Sequence, residues 1–171
     1  MVVVAQLIAV LLAALVLWSL RHEIAGTATT LGGWALPPVL ALVVMALLLA
    51  VSPGKRYELW VIAFVIGLAP GAFAGWLLKL NRDTGKQLMR VPFTWDGAAA
   101  AAGLLVLTIA RFVTTNLMDR PSGKFGVLGA AAIVLTAYLV GRWLVARFYK
   151  FPNAIHLDMR QGENPGRTLA G

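Results

Sequence analysis

The residues able to do chemistry in this chain are few and scattered. There are two histidines, His22 and His156, seven carboxylates spread over different polar stretches, and no cysteine. A bis-histidine haem needs both rings held on rigid facing elements. Here His22 follows an apolar run and His156 lies in a polar tail. A zinc site lacks a third and fourth ligand at regular spacing. His156 and Asp158 read as a solvated pair, because nothing around them builds a pocket. Without cysteine, disulfides, thiolate metal sites and a thiol relay are excluded. No Walker loop, nucleophile elbow, zincin helix or dinucleotide fingerprint occurs, and the dispersed acids supply no carboxylate pair for hydrolysis. The expectation is a non-enzyme, with no catalytic residue, cofactor or metal.

What remains is polar groups inside apolar runs. Arg111 and Arg142 are candidates by default, because a charge in hydrocarbon is expensive. Depth argues for interfacial anchoring instead. Arg111 lies about 24 Å along a helix from Trp95 at about 1.5 Å per residue, near a boundary that its stem can reach by snorkelling. Arg142 stands beside Trp143 and reads the same way. The sharper alternative pairs Arg111 with Glu58 or Asp119, with Asn116 nearby, as an intramembrane polar site. Thr108, Thr114, Thr115, Asn116, Thr136 and Tyr138 could line a polar path there. Hydrogen bonds between helices, or back to the helix backbone, are the favoured reading of the same residues.

The elements that must position these groups follow from composition. With 60% hydrophobic residues, 13% charged residues and a mean hydropathy of +0.80, the chain is too apolar for an ordinary soluble domain. The formal charge of +8 is scattered at the ends of apolar runs, which points to anionic lipid headgroups and away from nucleic acid.

An all-α membrane bundle of five transmembrane helices is predicted, at about 1–20, 34–51, 59–78, 95–113 and 125–144. The first run is read as a retained helix, since no Lys or Arg precedes Arg21 as a signal peptide would require. Pro37 and Pro38 are expected in the first turn of the second span, where a missing N–H matters little. Ser52-Pro-Gly54 stops that span. Around Asp83-Thr-Gly85 a small surface hairpin and a plain loop are both open. Thr94 or Asp96 caps the fourth span, and 119–124 is a tight connector. Residues 1–150 form the transmembrane domain, and 151–171 a mostly unstructured tail.

All six tryptophans, Trp18, Trp34, Trp60, Trp76, Trp95 and Trp143, fall near predicted helix ends as an interfacial belt. Arg21, Lys79, Arg82, Lys86, Arg90, Arg147, Lys150, Arg160 and Arg167 share one side, against Lys55, Arg56, Arg120 and Lys124 on the other. That bias predicts an external amino terminus and a cytoplasmic carboxyl terminus.

The third span carries Ala63, Gly67, Gly71 and Gly75 at four-residue steps, which keeps them on one stripe and lets a neighbouring backbone approach closely. Pro70 frees the carbonyl of Ile66 near mid-membrane. The stripe is expected to face the thin start of the fourth span, Ala98 to Gly103, because partners joined by one loop meet at the smaller entropic cost. Only its outer end, Ala63 and Gly67, is left for the fifth span or another protein.

The order of parts from Leu36-Pro-Pro-Val39 through Gly67-Leu-Ala-Pro-Gly-Ala-Phe-Ala-Gly75 and Asp83-Thr-Gly-Lys86 to Ala110-Arg-Phe112 resembles the CcdC-like bacterial membrane proteins, over roughly residues 36–113. The resemblance implies a small multi-span protein of bacterial inner membranes with no defined biochemical role. It implies no redox chemistry, despite the family's association with cytochrome c maturation genes. The leading expectation is a protein acting through helix packing, as an accessory or assembly subunit or a homo-oligomer. A small transporter or channel component is the alternative, and a membrane enzyme or cofactor carrier the third reading.

Overall fold

The computed structural model describes residues 2–25, 27–50, 57–78, 81–83, 88–90, 94–116, 125–150 and 155–157. A run that is apolar on every side can bury its backbone polar groups only by helical bonding within itself, and each of the five runs does so. Helix α1 (Val2–Ser19) ends where the Ser19 hydroxyl donates to the Val16 carbonyl at 2.7 Å. The chain bends there into the short α2 (Arg21–Ala25), and strand β1 (Ala28–Thr30) follows.

Helix α3 (Leu31–Ala50) starts three residues before the expected boundary. Thr30 caps it, its Oγ1 accepting from the Gly33 N–H at 3.2 Å. Pro37 and Pro38 therefore sit in the second turn and not the first. Lacking N–H groups, they leave the Gly33 and Trp34 carbonyls without their usual helical donors. Helices α4 (Tyr57–Leu77), α5 (Asp96–Asn116) and α6 (Phe125–Val145) complete the set, and α6 runs on into one π-helical turn, Ala146–Lys150. Among the described residues, five helices are long and apolar enough to cross a membrane, the first span running from α1 through α2.

The first connector and part of the tail form strands where loops were expected. Strands β2 (Asn81–Asp83), β3 (Leu88–Arg90) and β4 (Ile155–Leu157) join β1 in a four-stranded sheet of order β1-β3-β2-β4. β3 pairs antiparallel with β1 (Thr29 opposite Met89) and with β2 (Arg82 opposite Met89). β4 lies parallel to β2, with Arg82 opposite His156. Around Asp83 the hairpin is thus the alternative adopted, and the connector after the first span and part of the tail are strands. Up-and-down threading brings these three segments to the same end of the bundle, where their free backbone groups satisfy one another. The turn 84–87, the stop at Ser52-Pro-Gly54, the connector 119–124, Asp119 as a partner for Arg111, and the tail from Asp158 onward lie outside the described residues.

Helix α6 is the centre of the packing, touching α3, α4 and α5, while α1 rests on α3 and α5. α4 stands at the periphery, packed on α6 and on the π-helical turn. Alanines and a few branched side chains seal the middle: Ala13, Ala41, Val44, Ala101 and Leu104 are fully buried.

Candidate functional site

Two constructions stand out, a seam of glycines along α4 and a buried ionic cluster at the sheet end.

The seam joins α4 to α6, which corrects the expected pairing with the fourth span. A Cβ at Gly67, Gly71 or Gly75 would collide with the backbone of Val134, Tyr138 or Arg142 respectively. α6 answers with Gly141, whose Cβ would lie 2.6 Å from the Leu68 carbonyl oxygen. Ala63 is buried on the same stripe. Gly103 faces the Leu135 side chain of α6, and a Cβ there would meet its Cδ1 at 3.0 Å. Loop entropy favoured the nearest neighbour in sequence, but backbone contact needs small residues on both helices. The fifth span supplies them as Ala137 and Gly141, four residues apart.

At the sheet end, Arg142 points into the bundle. It is 3% exposed, so the expectation of an interfacial anchor is overturned. Its Nη1 lies 2.8 Å from Glu23 Oε2 and donates to Glu23 Oε1 at 3.1 Å. Its Nε lies 2.9 Å from Asp96 Oδ2, and its Nη2 donates to Thr94 Oγ1 at 2.8 Å. Tyr138 donates to Asp96 Oδ2 at 2.9 Å, and the Trp34 indole N–H donates to Glu23 Oε1 at 2.9 Å. One guanidinium thus faces two carboxylates, with neutral donors holding the carboxylate oxygens. A buried charge persists when it is paired and hydrogen-bonded in this way.

Every strand-bearing segment contributes. Glu23 comes from α2 just before β1, Thr94 and Asp96 from the entry to α5 after β3, and Arg142 from the part of α6 that leads to β4. Thr94 and Asp96, expected as helix caps, turn their side chains to Arg142. Gly97 makes room, since a Cβ there would lie 2.9 Å from Arg142 Nη1 and 3.1 Å from Glu23 Oε2. Beside the cluster, Leu20, Trp34, Pro37, Pro38, Leu139 and Trp143 enclose a crevice of water-molecule size. Trp34 is 4% exposed, which corrects its assignment to the interfacial belt. Trp18, Trp76 and Trp95 are exposed, and Trp60 and Trp143 half-buried.

At the opposite end, Arg111 is also turned inward at 3% exposure, against the expectation of a snorkelling side chain. It falls on the buried face of α5 marked by Gly97, Ala101, Leu104 and Thr108, a helical spacing visible in the sequence. Asn116 of α5 donates to Gln6 of α1 at 2.7 Å, and Gln6 is itself buried. Glu58 is exposed at the start of α4. Thr108, Thr114 and Thr136 follow the favoured bonding pattern, whereas the Thr115 hydroxyl is buried without a hydrogen-bond partner among the described residues. Thr108 and Thr114 donate to carbonyls of their own helix, Leu105 and Ala110, and Thr136 reaches the Ala41 carbonyl of α3 at 3.5 Å. His22 places Nδ1 3.1 Å from Thr27 Oγ1. Among the described residues, no group of three His, Cys, Asp or Glu side chains is placed to hold a metal ion.

Among the described residues, five helices have the length and apolarity to cross a membrane and a sheet gathers them at one end, which suggests a multi-pass membrane protein. No family model matches the chain, and no curated protein or solved structure matches it.

Proposed function

We propose that this is a non-enzymatic integral membrane protein acting through helix packing, as an accessory or assembly subunit of a membrane complex or as a homo-oligomer. The supporting observation is the internal ion pairing of its charged cluster. Arg142 is occupied by Glu23, Asp96 and Thr94, and Asp96 also by Tyr138, so these groups hold helices together. The resemblance to CcdC-like proteins and the bias of basic residues support a bacterial inner membrane, with the amino terminus outside and the sheet and carboxyl terminus in the cytoplasm. Because the glycine stripe is used internally, the surface left for a partner is the outer face of α4, where Val61, Val65 and Phe73 are exposed. Purification in gentle detergent should yield a defined oligomer or a stoichiometric partner on native gels. A homogeneous monomer without companions would contradict this reading.

A second reading rests on Arg111. A buried arginine in the half of α5 whose end, Asn116, bonds Gln6 of α1 favours a small transporter or channel component with a wet path at that end. Cysteine substitutions from Ala110 to Asn116 should then react with water-soluble thiol reagents well below the headgroups. Uniform protection removes this reading.

A further inference from the structure

The crevice beside the ionic cluster has polar groups in its wall that the cluster does not use. Trp143 stands there with its indole nitrogen buried, and its N–H meets no acceptor among the described residues. Glu23 Oε1 accepts from the Trp34 indole and from Arg142 Nη1. Glu23 Oε2 meets Arg142 Nη1 at 2.8 Å as an ion pair, yet it accepts no hydrogen bond among the described residues. The third group is backbone. A helical carbonyl points along the axis to the residue four ahead, which for Trp34 is Pro38, and proline has no N–H to give. Trp34 and Pro38 both line the crevice. One donor and two acceptors, from α6, α2 and α3, thus surround one small space.

A buried polar group left without a partner costs more than a made hydrogen bond gains, and a buried water typically makes about three hydrogen bonds to such groups. The crevice gives a water-sized sphere about 10 Å³ of room, which suits one water molecule and nothing larger. We propose that it binds a single ordered water, which accepts from the Trp143 N–H and donates to Glu23 Oε2 and to the Trp34 carbonyl. The donor decides the class of ligand. An alkali cation would suit both acceptors, but it would face the Trp143 N–H and the Arg142 guanidinium, which offer only hydrogens. A water gives a lone pair to the indole and hydrogens to the two oxygens. Bound there, it ties α2, α3 and α6 together beside Arg142, the residue whose backbone meets Gly75 of the seam, and it supplies Glu23 with a hydrogen bond that no described side chain makes. The site stands independently of the packing role proposed above.

The test uses the full chain in detergent micelles with its tryptophans labelled with nitrogen-15 at Nε1, and reads water cross-peaks at the indole protons by nuclear magnetic resonance. Trp143→Phe identifies the Trp143 signal by its loss. That signal should carry a water cross-peak of opposite sign in the laboratory-frame and rotating-frame experiments, which marks a water held in place and not exchange of the proton itself. No cross-peak, or one of exchange sign alone, overturns the proposal in favour of an N–H lying against the edge-on Phe148 ring, whose centroid is 6.3 Å from that of Trp143. Replacing choline chloride by sodium or potassium chloride should leave the Trp143 signal in place. A saturable shift overturns the water in favour of a cation. Pro38→Ala returns an N–H to the Trp34 carbonyl and should lower the cross-peak intensity while the signals of Trp18, Trp60, Trp76 and Trp95 stay in place. Undiminished intensity overturns the carbonyl's part in the site. The wild-type cross-peak and the salt exchange decide even where that variant fails to fold.

Discussion

Helices α4 and α6 meet by backbone contact at Gly67 and Gly71, with no charged side chain between them. One turn beyond, Gly75 touches the backbone of Arg142, whose side chain enters a cluster of two carboxylates and three neutral polar partners. The seam and the cluster share a residue, yet they hold by different physics. In the seam, stability comes from dispersion and close approach, which depend on shape and are indifferent to protonation. In the cluster, each charge is tolerable because the others are present. Shape errors should therefore damage the seam most, and charge imbalance the cluster.

The largest effect is expected for Gly71→Leu, whose side chain must displace the backbone at Tyr138. α4 should detach, giving protease cleavage near its ends and loss of the native band on gels, at any pH. Next comes Arg142→Leu, which strands Glu23 as a buried charge and should cost about 3–5 kcal/mol, measured as a lowered midpoint of thermal unfolding in detergent. The companion double variant Arg142→Leu with Glu23→Leu should be markedly less damaged than Arg142→Leu alone. A double variant that is worse would show that the charges themselves, and not their balance, sustain the cluster. Trp34→Phe keeps one aromatic ring but loses the pyrrole part of the indole and with it one donor to buried Glu23, for a loss of about 1.5–3 kcal/mol. Gly97→Ala is the mildest, about 1 kcal/mol, because its Cβ meets the end of a side chain and not a backbone. If Gly97→Ala matched Gly71→Leu in severity, the distinction between the two regions would collapse.

The spans were legible because twenty apolar residues have one stable form in a bilayer. Their boundaries were less so, as α3 shows, where Thr30 caps the helix and draws two prolines into its second turn. The glycine stripe was visible in α4, but its partner required reading Ala137 and Gly141 on the fifth span as the matching surface. The ionic cluster was hidden for a different reason. Glu23 stands in a polar connector, Asp96 at a helix start and Arg142 beside an interfacial tryptophan, and each has a sufficient local explanation. Only tertiary structure shows that the three lie at one depth on one side. The β2–β3 hairpin was one of two readings open around Asp83, but β1 and β4 escaped because three-residue strands carry no alternating pattern and β4 pairs with a segment far away in sequence.

The peripheral position of α4 has a consequence in time. Its docking surface is α6, two spans later in the chain, so α4 is synthesised before the helix that covers its glycines exists. A nascent chain stalled before residue 125 should hold α4 loosely, with its ends open to protease, and synthesis through α6 should close it. The protein's most vulnerable interval is thus the delay between making its third span and making its fifth, and any factor that guards membrane proteins during insertion would find its client there.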